Sequence, residues 1–245
     1  MERYSDEEYW NKYWEGESRD DDVFYFSELV DKYVDWEKID SYMEIGGAPG
    51  SIMAYMNKIH GVKVSTIDFV EKRVTENFLK KKNVSDFCVF QEDFERIDIK
   101  EHMMKYDMVA SWGFVEHFSK EVCSRFIDKQ KLMVSEGGYL LLEVPNIRKV
   151  IWLFYFLFNR QILQIHNFDI MNLSFLKNQI EKTKDFEIQY SGYYLTMNQQ
   201  NEYFVKHTVQ RRICKSAIEL LRGMEIRESL KRWLFPYIVI VAKRK

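Results

Sequence analysis

The residues with the clearest chemical potential form a glycine-rich loop between Glu44 and Ser51. The loop reads Glu-Ile-Gly-Gly-Ala-Pro-Gly-Ser and joins an apolar stretch to a helical one. Gly46, Gly47 and Gly50 have no Cβ atom and tolerate positive φ, so backbone N–H groups can approach a ligand closely at the start of a helix. By itself this loop predicts a nucleotide-like ligand, which is common to many nucleotide-binding folds.

Three acidic residues stand in step with three successive predicted strands. Glu44 precedes the first glycine by two residues, Asp68 ends the next strand, and Asp93 follows the third. A carboxylate at the position of Asp68 can accept hydrogen bonds from both hydroxyls of a ribose. Asp93 can accept one from the amino group of an adenine. Acids at strand ends often cap the next helix instead, but three of them in step favour a ligand site.

A parallel sheet is needed to bring these residues together, and the hydrophobic pattern predicts one. Short apolar strands alternate with helices, an arrangement that is typical of an α/β doubly wound sheet with helices on both faces. The predicted strands are Tyr42–Ile45, Val62–Phe69, Phe87–Gln91, Tyr106–Ser111, Tyr139–Val144, Phe186–Leu195 and Phe235–Ala242, and the predicted helices are Ser51–His60, Lys72–Lys82, Lys120–Val134 and Leu173–Lys182. Gly137-Gly138 is predicted to turn the chain into the fifth strand.

Five blocks of this core resemble, in order, the motifs of class I S-adenosylmethionine-dependent methyltransferases. The blocks are Tyr42–Gly50, Val64–Asp68, Val89–Phe94, Tyr106–Phe118 and Gly137–Asn146, and the nearest resemblance is to the small-molecule group that includes the ubiquinone- and menaquinone-pathway enzymes. The first block is similar to Glu/Asp-x-Gly-x-Gly-x-Gly, with alanine in place of the middle glycine and proline after it. The resemblance implies a Rossmann-like, mostly parallel sheet of seven strands, the last antiparallel, and S-adenosyl-L-methionine as cofactor.

The resemblance also implies a role for each residue of a cofactor site. The glycines of the loop would line the methionine moiety, and Glu44 would anchor its amino group. Asp68 would hold the ribose, Asp93 and the backbone of Phe94 the adenine, and Ser111 and Trp112 would lie beneath the methyl donor. The predicted cofactor-binding residues are Glu44, Gly46, Gly47, Gly50, Asp68, Phe69, Asp93, Phe94, Ser111 and Trp112.

Two histidines are the candidates for catalysis. Methyl transfer from a sulfonium is an in-line displacement, so it depends mainly on alignment, and a base is needed only when the acceptor must lose a proton. His117 follows Glu116 after the fourth strand, and His166 lies in a later insertion. A histidine pKa of about 6.5 suits proton transfer at neutral pH. The alternatives are that His117 secures the start of a helix and that His166 is a surface residue.

The sequence is predicted to form one core with three added segments. An aromatic helical segment at 1–40 precedes the core at 41–146, a lid insertion at 147–172 follows it, and 173–245 completes the sheet with a basic helical insertion at 202–232. The first segment carries an aromatic stripe that must dock on something, formed by Tyr9, Trp10, Tyr13 and Trp14.

The lid insertion contains nine consecutive apolar residues at Val150–Phe158. A bilayer-spanning helix needs about 20 such residues, so this run is too short to span. Two interpretations stay open for the lid and the aromatic stripe. They cover a bulky, apolar, sugar-containing or lipid-linked acceptor, or they pack on the sheet or in a homodimer contact.

Charge and cysteine content bound the partners. Residues 1–40 carry 14 acidic and 5 basic side chains, whereas residues 206–245 carry 3 acidic and 11 basic ones. Such polarity favours anionic lipid, phosphate or nucleic acid, although a solvated face is the simpler interpretation. The three cysteines lie far apart with no CxxC pair, so neither a metal site nor a disulfide is predicted and a cytoplasmic setting fits best. The first eight residues lack the apolar core of a secretory signal.

The predicted function is methyl transfer to a hydroxyl or amine of a small molecule, with the inner face of a membrane as a second expected location. Three alternatives stay open: an RNA methyltransferase, which the basic C-terminal region favours although nucleic acid is the weaker partner; cyclopropane-synthase-like methylation of an alkene, suggested by Trp112–Phe118; and a binding protein without catalysis. An NAD(P)-dependent oxidoreductase is disfavoured because the loop lacks Gly-x-Gly-x-x-Gly and no tyrosine precedes a lysine by four residues.

Overall fold

A computed structural model describes Ser5 and residues 7–15, 23–198, 204 and 206–245 of the chain. Most of the first eight residues and part of the predicted 202–232 insertion lie outside the described residues. Within the described ranges, seven strands form one sheet. They are β1 (Ser41–Ile45), β2 (Lys63–Asp68), β3 (Phe87–Gln91), β4 (Tyr106–Trp112), β5 (Val134–Pro145), β6 (Phe186–Tyr194) and β7 (Tyr237–Arg244).

The helices fall between and around these strands. They are α1 (Glu7–Glu15), α2 (Ser27–Tyr33), α3 (Ser51–His60), α4 (Lys72–Lys81), α5 (Lys120–Met133), α6 (Val150–Phe158), α7 (Leu173–Glu181), α8 (Thr208–Arg222) and α9 (Glu228–Leu234). Short 3-10 turns occupy Trp36–Lys38, Ile99–Glu101, Val115–His117 and Arg160–Leu163. Among the described residues, no helix has both the length and the apolar character needed to cross a membrane.

The strand order is β3-β2-β1-β4-β5-β7-β6. The first five strands pair in parallel, and β7 runs antiparallel to both β5 and β6. The predicted Rossmann-like fold is therefore confirmed, including the antiparallel last strand. The chain moves outward from β1 to β3 and then returns to β4 on the other side of β1. A crevice opens at such a switch point, at the carboxyl ends of the strands, and this is where open α/β sheets bind ligands.

Alternate residues of each central strand enter opposite cores. Met43 and Val109 belong to the core on the side of α5 and α7, whereas Tyr42 and Met108 belong to the core that α2, α3 and α4 cover. Side chains of a strand point to opposite faces in turn, so a strand buried on both faces has an almost unbroken apolar run. Any polar residue within these strands is therefore conspicuous, and β1 and β5 each contain one buried glutamate.

The predicted turn at Gly137-Gly138 is wrong. The two glycines lie inside β5, which begins at Val134, five residues earlier than predicted. They form an irregularity in the pairing of β5 with β4, where Tyr106 pairs with Val134 but Met108 pairs with Tyr139. Gly137 has a φ of 75°, and a bulge of this kind uses glycine because extra residues on one strand require unusual backbone angles. The other strand ends agree with the prediction to within two residues.

Candidate active site

A cavity of about 330 Å³ opens at the carboxyl ends of β1, β2, β4 and β5. Small-molecule sites range from about 300 to 1,000 Å³, so the cavity is large enough for a ligand. Eight of the predicted site residues line it, namely Glu44, Gly46, Gly47, Asp68, Phe69, Trp112, His117 and His166. The lining also includes aromatic residues of α1 and residues of the predicted 147–172 insertion.

Four predicted cofactor residues do not line the cavity. Gly50 precedes α3 with a φ of 108°, and a Cβ there would lie 3.1 Å from Cδ2 of Leu79, so this glycine lets α3 pack against α4. Asp93 Oδ1 accepts a hydrogen bond from the backbone N–H of Glu95 at 3.0 Å. Phe94 is buried in the core, and Ser111 is fully buried. A direct contact of these four with the cofactor stays a prediction.

The glycine loop is held against β2 by hydrogen bonds. The backbone N–H of Gly47 donates to Thr66 Oγ1 at 3.2 Å, and that hydroxyl donates to the carbonyl of Glu44 at 2.8 Å. The N–H of Ala48 donates to Asp68 Oδ2 at 3.0 Å. Ala48 does not have a positive φ, which is why an alanine is tolerated where the related motif has glycine. The loop is therefore set before any ligand binds.

Substitution of Gly46 tests how tightly the glycine loop is packed. Its φ is 75° and a Cβ would lie 2.6 Å from Cδ2 of Phe114, whereas Gly61 has a φ of 72° with no atom within 4 Å of the same point. We expect Gly61→Ala to cost about 1 kcal/mol from left-handed strain alone. Gly46→Ala should cost a further 1–3 kcal/mol, roughly, from overpacking. Urea unfolding of both variants measures the difference, and equal losses would contradict a close-packed loop.

Glu44 is a buried carboxyl at the end of β1. Its Oε2 accepts a hydrogen bond from the Tyr42 hydroxyl at 3.0 Å, and that hydroxyl accepts one from Trp112 Nε1 at 2.9 Å. Burial, with a smaller contribution from the charge of Asp68, raises the pKa of Glu44 to about 8, although the hydrogen bond from Tyr42 opposes the rise. In the ligand-free protein this carboxyl is therefore mostly protonated at pH 7, and a cation in the cavity would favour its ionised form.

Asp68 sits at the end of β2 with both oxygens engaged. Besides the bond from Ala48, its Oδ1 accepts the N–H of Val70 at 2.9 Å. Burial raises the pKa of this carboxyl, while the backbone N–H groups oppose the rise. Each carboxylate oxygen has a second lone pair, so Asp68 can orient the loop and still accept hydrogen bonds from a ligand.

His117 and His166 are neighbours in the fold although they are far apart in the sequence. Ile165, which directly precedes His166, is 48 residues from His117. His117 Nδ1 is 2.7 Å from the carbonyl of Ile165, and His166 Nδ1 is 2.6 Å from the carbonyl of Ile162. A carbonyl can only accept, so each Nδ1 carries the proton and each Nε2 carries a lone pair. His166 is 9% exposed, so the alternative of a surface residue is wrong.

Burial changes the acid–base character expected of these histidines. It lowers the pKa of His117 to about 4 and that of His166 to about 3. Both imidazoles are therefore neutral at pH 7. Neutral imidazoles accept hydrogen bonds and bind metal ions well, but a conjugate acid of such low pKa makes each a weaker base than the sequence value of about 6.5 implies.

Two buried glutamates of the cavity lining were not predicted as site residues from the sequence. Glu116 and Glu143 line the cavity and are 1% and 4% exposed. Burial raises the pKa of Glu116 to about 8 and raises that of Glu143 well above its usual range. One signal was available in the sequence: Glu143 is the single charged residue in the apolar run Tyr139–Val144. A lone acid in a strand buried on both faces is seldom there for packing.

Helix α1 lies over the cavity. The ring of Trp10 meets the ring of His117 edge-on at 5.0 Å between centroids. Trp10 Nε1 donates to Ser5 Oγ at 2.9 Å, and Asn11 Oδ1 accepts the backbone N–H of Glu71 at 3.1 Å. The aromatic stripe predicted from the sequence therefore includes a residue that contacts the histidine pair.

Comparison with known proteins identifies the family. A family profile described as "Methyltransferase domain" matches residues 23–212. The chain belongs to this methyltransferase family. Its cofactor is S-adenosylmethionine, and it is an enzyme of the class I, Rossmann-like kind. No curated protein sequence matches the methyltransferase.

Solved structures with the same fold share little of its sequence. A SAM-dependent methyltransferase from Archaeoglobus fulgidus is 19% identical, with a TM-score of 0.58 over 89% of this chain and 91% of that chain. An O-methyltransferase family protein from Burkholderia thailandensis is 11% identical, with a TM-score of 0.54 over 90% of this chain and 56% of that chain. The [4+2]-cyclase SpnF is 12% identical, with a TM-score of 0.59 over 89% of this chain and 79% of that chain.

The residues at the loop end of the cavity fit this cofactor. S-adenosylmethionine presents an ammonium, a sulfonium and two ribose hydroxyls, and its sulfonium supplies an electrophilic methyl group. Glu44 and Asp68 provide carboxyls for the cationic and hydroxyl groups, and Gly46 and Gly47 leave the loop without side chains between them. The assignment of individual contacts to Glu44, Asp68 and Trp112 stays a prediction.

Proposed function

We propose that this methyltransferase methylates a hydroxyl group of a bulky, apolar small molecule. The observation that carries the proposal is the part of the cavity lining that the glycine loop does not supply. That part combines aromatic rings with the unprotonated Nε2 atoms of His117 and His166. The rings belong to Tyr9, Trp10, Tyr13, Trp14, Phe24, Tyr25, Phe26, Phe114, Tyr155 and Tyr237. Aromatic walls with a few polar atoms are typical of sites that bind apolar ligands.

The chemistry of a hydroxyl acceptor matches these polar atoms. In the transfer, the bond between methyl and sulfur breaks, a bond between methyl and the acceptor oxygen forms, and the electron pair stays on sulfur. The hydroxyl must also lose its proton, so a proton acceptor has to lie beside it. His117 and His166 are neutral hydrogen-bond acceptors at the cavity wall, which supports a role in orienting the hydroxyl and receiving its proton.

A panel of matched acceptors tests the proposal. Phenols and long-chain alcohols would be compared with amines and methyl ethers of the same skeleton, and formation of S-adenosylhomocysteine from S-adenosylmethionine would be measured. We expect turnover with the hydroxyl compounds and none with the ethers. Turnover with the amines alone would overturn the assignment of a hydroxyl acceptor in favour of an amine. Methylation of RNA alone would overturn the small-molecule proposal.

A binding experiment separates catalysis from a merely shared fold. SpnF has the same fold and is named as a cyclase, so fold alone does not assign methyl transfer to a particular acceptor. Calorimetry and thermal unfolding with S-adenosylhomocysteine should show heat and a stabilised protein, since a ligand that binds only the folded state stabilises it. The absence of both binding heat and a thermal shift at millimolar ligand would contradict the proposed enzymatic function.

We further propose that the acceptor is drawn from an anionic membrane surface. Tyr155 of α6 lines the cavity, while the opposite side of the same helix exposes Leu153 and Leu157 by 51% and 59%. Phe154 of α6 and Ile218 of α8 pack on the same small cluster, so the two helices are neighbours. The exposed apolar residues of both helices, here called the α6–α8 surface, are Val150, Trp152, Leu153, Leu157, Phe158, Val209, Ile213 and Leu220.

Basic residues accompany the α6–α8 surface. Helix α8 carries three arginines and one lysine against a single glutamate, Glu219; the basic residues are Arg211, Arg212, Lys215 and Arg222. Apolar side chains beside basic ones are the pattern of helices that lie in the interface of anionic bilayers. This charge favours lipid over a neutral protein partner as the occupant of the surface.

Vesicle binding measures the proposed membrane contact. We expect sedimentation with vesicles that contain phosphatidylglycerol, little with phosphatidylcholine alone, and weaker binding at high salt. The double variant Leu153→Glu, Leu157→Glu should bind at least about tenfold more weakly, since burying each leucine contributes roughly 1.5–3 kcal/mol. Leu132→Glu is the matched control, because Leu132 is 41% exposed on α5, outside the α6–α8 surface. Equal loss in both variants would contradict the assignment.

A further inference from the structure

Glu116, His117 and His166 bring three metal-ligating atoms together at the cavity wall. One carboxylate oxygen and the two imidazole nitrogens all lie within 4.8 Å of one another. Glu116 Oε1 is 3.8 Å from His117 Nε2 and 4.0 Å from His166 Nε2. These distances are too long for hydrogen bonds. The three polar atoms therefore face a shared gap without bonding to one another.

The second ring nitrogen of each histidine is already held. Both Nδ1–H groups donate to backbone carbonyls, those of Ile165 and Ile162. Metal-binding histidines almost always donate their other N–H in this way, because the bond fixes both the ring orientation and the tautomer with a free Nε2. The orientation of both rings is thus fixed before an ion binds.

Buried carboxyl oxygens beside the gap have no protein partner. Among the described residues, Glu116 Oε2 and Glu143 Oε1 make no hydrogen bond although they are shielded from solvent. Both carboxyls line the same cavity. A buried polar group without a partner costs free energy, and a dication bound by Glu116 would give that carboxylate a partner.

We propose that Glu116, His117 and His166 bind one divalent transition-metal ion, with Zn²⁺ as the best match and Mn²⁺ as the second. Two histidines and one carboxylate are a donor set that Zn²⁺ uses at catalytic sites, where a fourth position stays open. With bonds of about 2.1 Å, neighbouring ligand atoms of a tetrahedral site lie about 3.4 Å apart. Movements of roughly half an ångström would therefore bring Glu116 Oε1 and each Nε2 to that spacing.

The open position would face the cavity, because all three ligands line it. With both Nε2 atoms bound to the ion, a hydroxyl oxygen at the open position would release its proton to water more readily than it does in bulk water. The ion would then take the place of the histidines as the group that assists deprotonation of the acceptor. This consequence rests on the proposed function, whereas metal binding itself does not. The absence of a CxxC pair predicted no metal site. Cysteine spacing says nothing about histidine and carboxylate ligands that meet only in the fold.

Metal binding can be tested on the whole protein without cofactor or acceptor. After treatment with EDTA, we expect calorimetry with ZnCl₂ to give one site per chain, MnCl₂ to bind more weakly, and MgCl₂ to give no heat at the same concentration. Elemental analysis after dialysis should find one zinc per chain. Bound Co²⁺ should show the visible absorption bands of a low-symmetry site, a signature that a purely structural histidine pair would not produce.

Substitutions locate the site. His117→Ala, His166→Ala and Glu116→Gln should each weaken Zn²⁺ binding at least about 100-fold. His207→Ala is the matched control, since His207 is exposed and far along the chain, and it should leave binding unchanged. The Co²⁺ spectrum of the unmodified protein decides the matter if a variant fails to fold. No zinc retained and no Co²⁺ bands would overturn the proposal, as would loss of binding only in His207→Ala.

Discussion

Asp68→Ala is expected to weaken binding of S-adenosylhomocysteine by roughly 100-fold or more. The carboxylate has lone pairs left for two ribose hydroxyls, and hydrogen bonds to a charged group contribute about 1.5–3 kcal/mol each. The variant also frees the N–H of Ala48, which Asp68 Oδ2 now holds at 3.0 Å, so the glycine loop loses an anchor at the same time. Calorimetric titration measures the dissociation constant, and an unchanged value would refute the ribose assignment.

Two other aspartates make the result specific. Asp98 Oδ1 accepts the backbone N–H of Lys100 at 3.0 Å at the start of a 3-10 turn and lies outside the cavity, so Asp98→Ala controls for the loss of a turn-capping carboxylate. Asp93→Ala decides between two expectations. The family resemblance implies a loss of adenine binding, whereas the position of Asp93 outside the cavity lining implies little change. Urea unfolding of each variant separates weaker binding from lower stability.

Glu44→Gln is expected to remove part of the pH dependence of stability. Burial raises the pKa of Glu44 from 4.5 to about 8 in the folded protein. Between these values the unfolded chain has released the proton and the folded chain keeps it, so the free energy of unfolding falls as pH rises from about 4.5 to about 8. Each unit of pKa difference corresponds to about 1.4 kcal/mol, so Glu44 contributes a few kcal/mol to this fall.

Urea unfolding at several pH values between 5 and 8 measures the effect. Glu116 and Glu143 shift in the same direction, so Glu44→Gln should make the slope shallower without abolishing it. A slope as steep as that of the unmodified protein would show that Glu44 is already ionised at low pH. Calorimetry at pH 7 in buffers of different ionisation enthalpy gives a second readout. Binding of the cationic cofactor should release protons in the unmodified protein and fewer in Glu44→Gln.

Local pattern was sufficient for most of the fold. Strands such as Phe87–Gln91 and helices such as Ser51–His60 were predicted with their observed bounds, because burial on both faces leaves a continuous apolar run and helices leave a 3.6-residue period. The Gly137-Gly138 bulge was not predictable in the same way. A glycine pair is compatible with a turn or with an irregular strand, and only pairing with β4 selects between them.

What the sequence by itself determined was the glycine loop and the acids at the ends of β1 and β2, because parallel strands necessarily deliver their carboxyl ends to one edge of a sheet. The tertiary structure alone decided which of the predicted site residues face the cavity. Gly50, Asp93, Phe94 and Ser111 do not line it. The tertiary structure alone also paired His117 with His166. Residues far apart in sequence meet only when the insertion folds back on the sheet, and their burial, which no local pattern records, sets their charge.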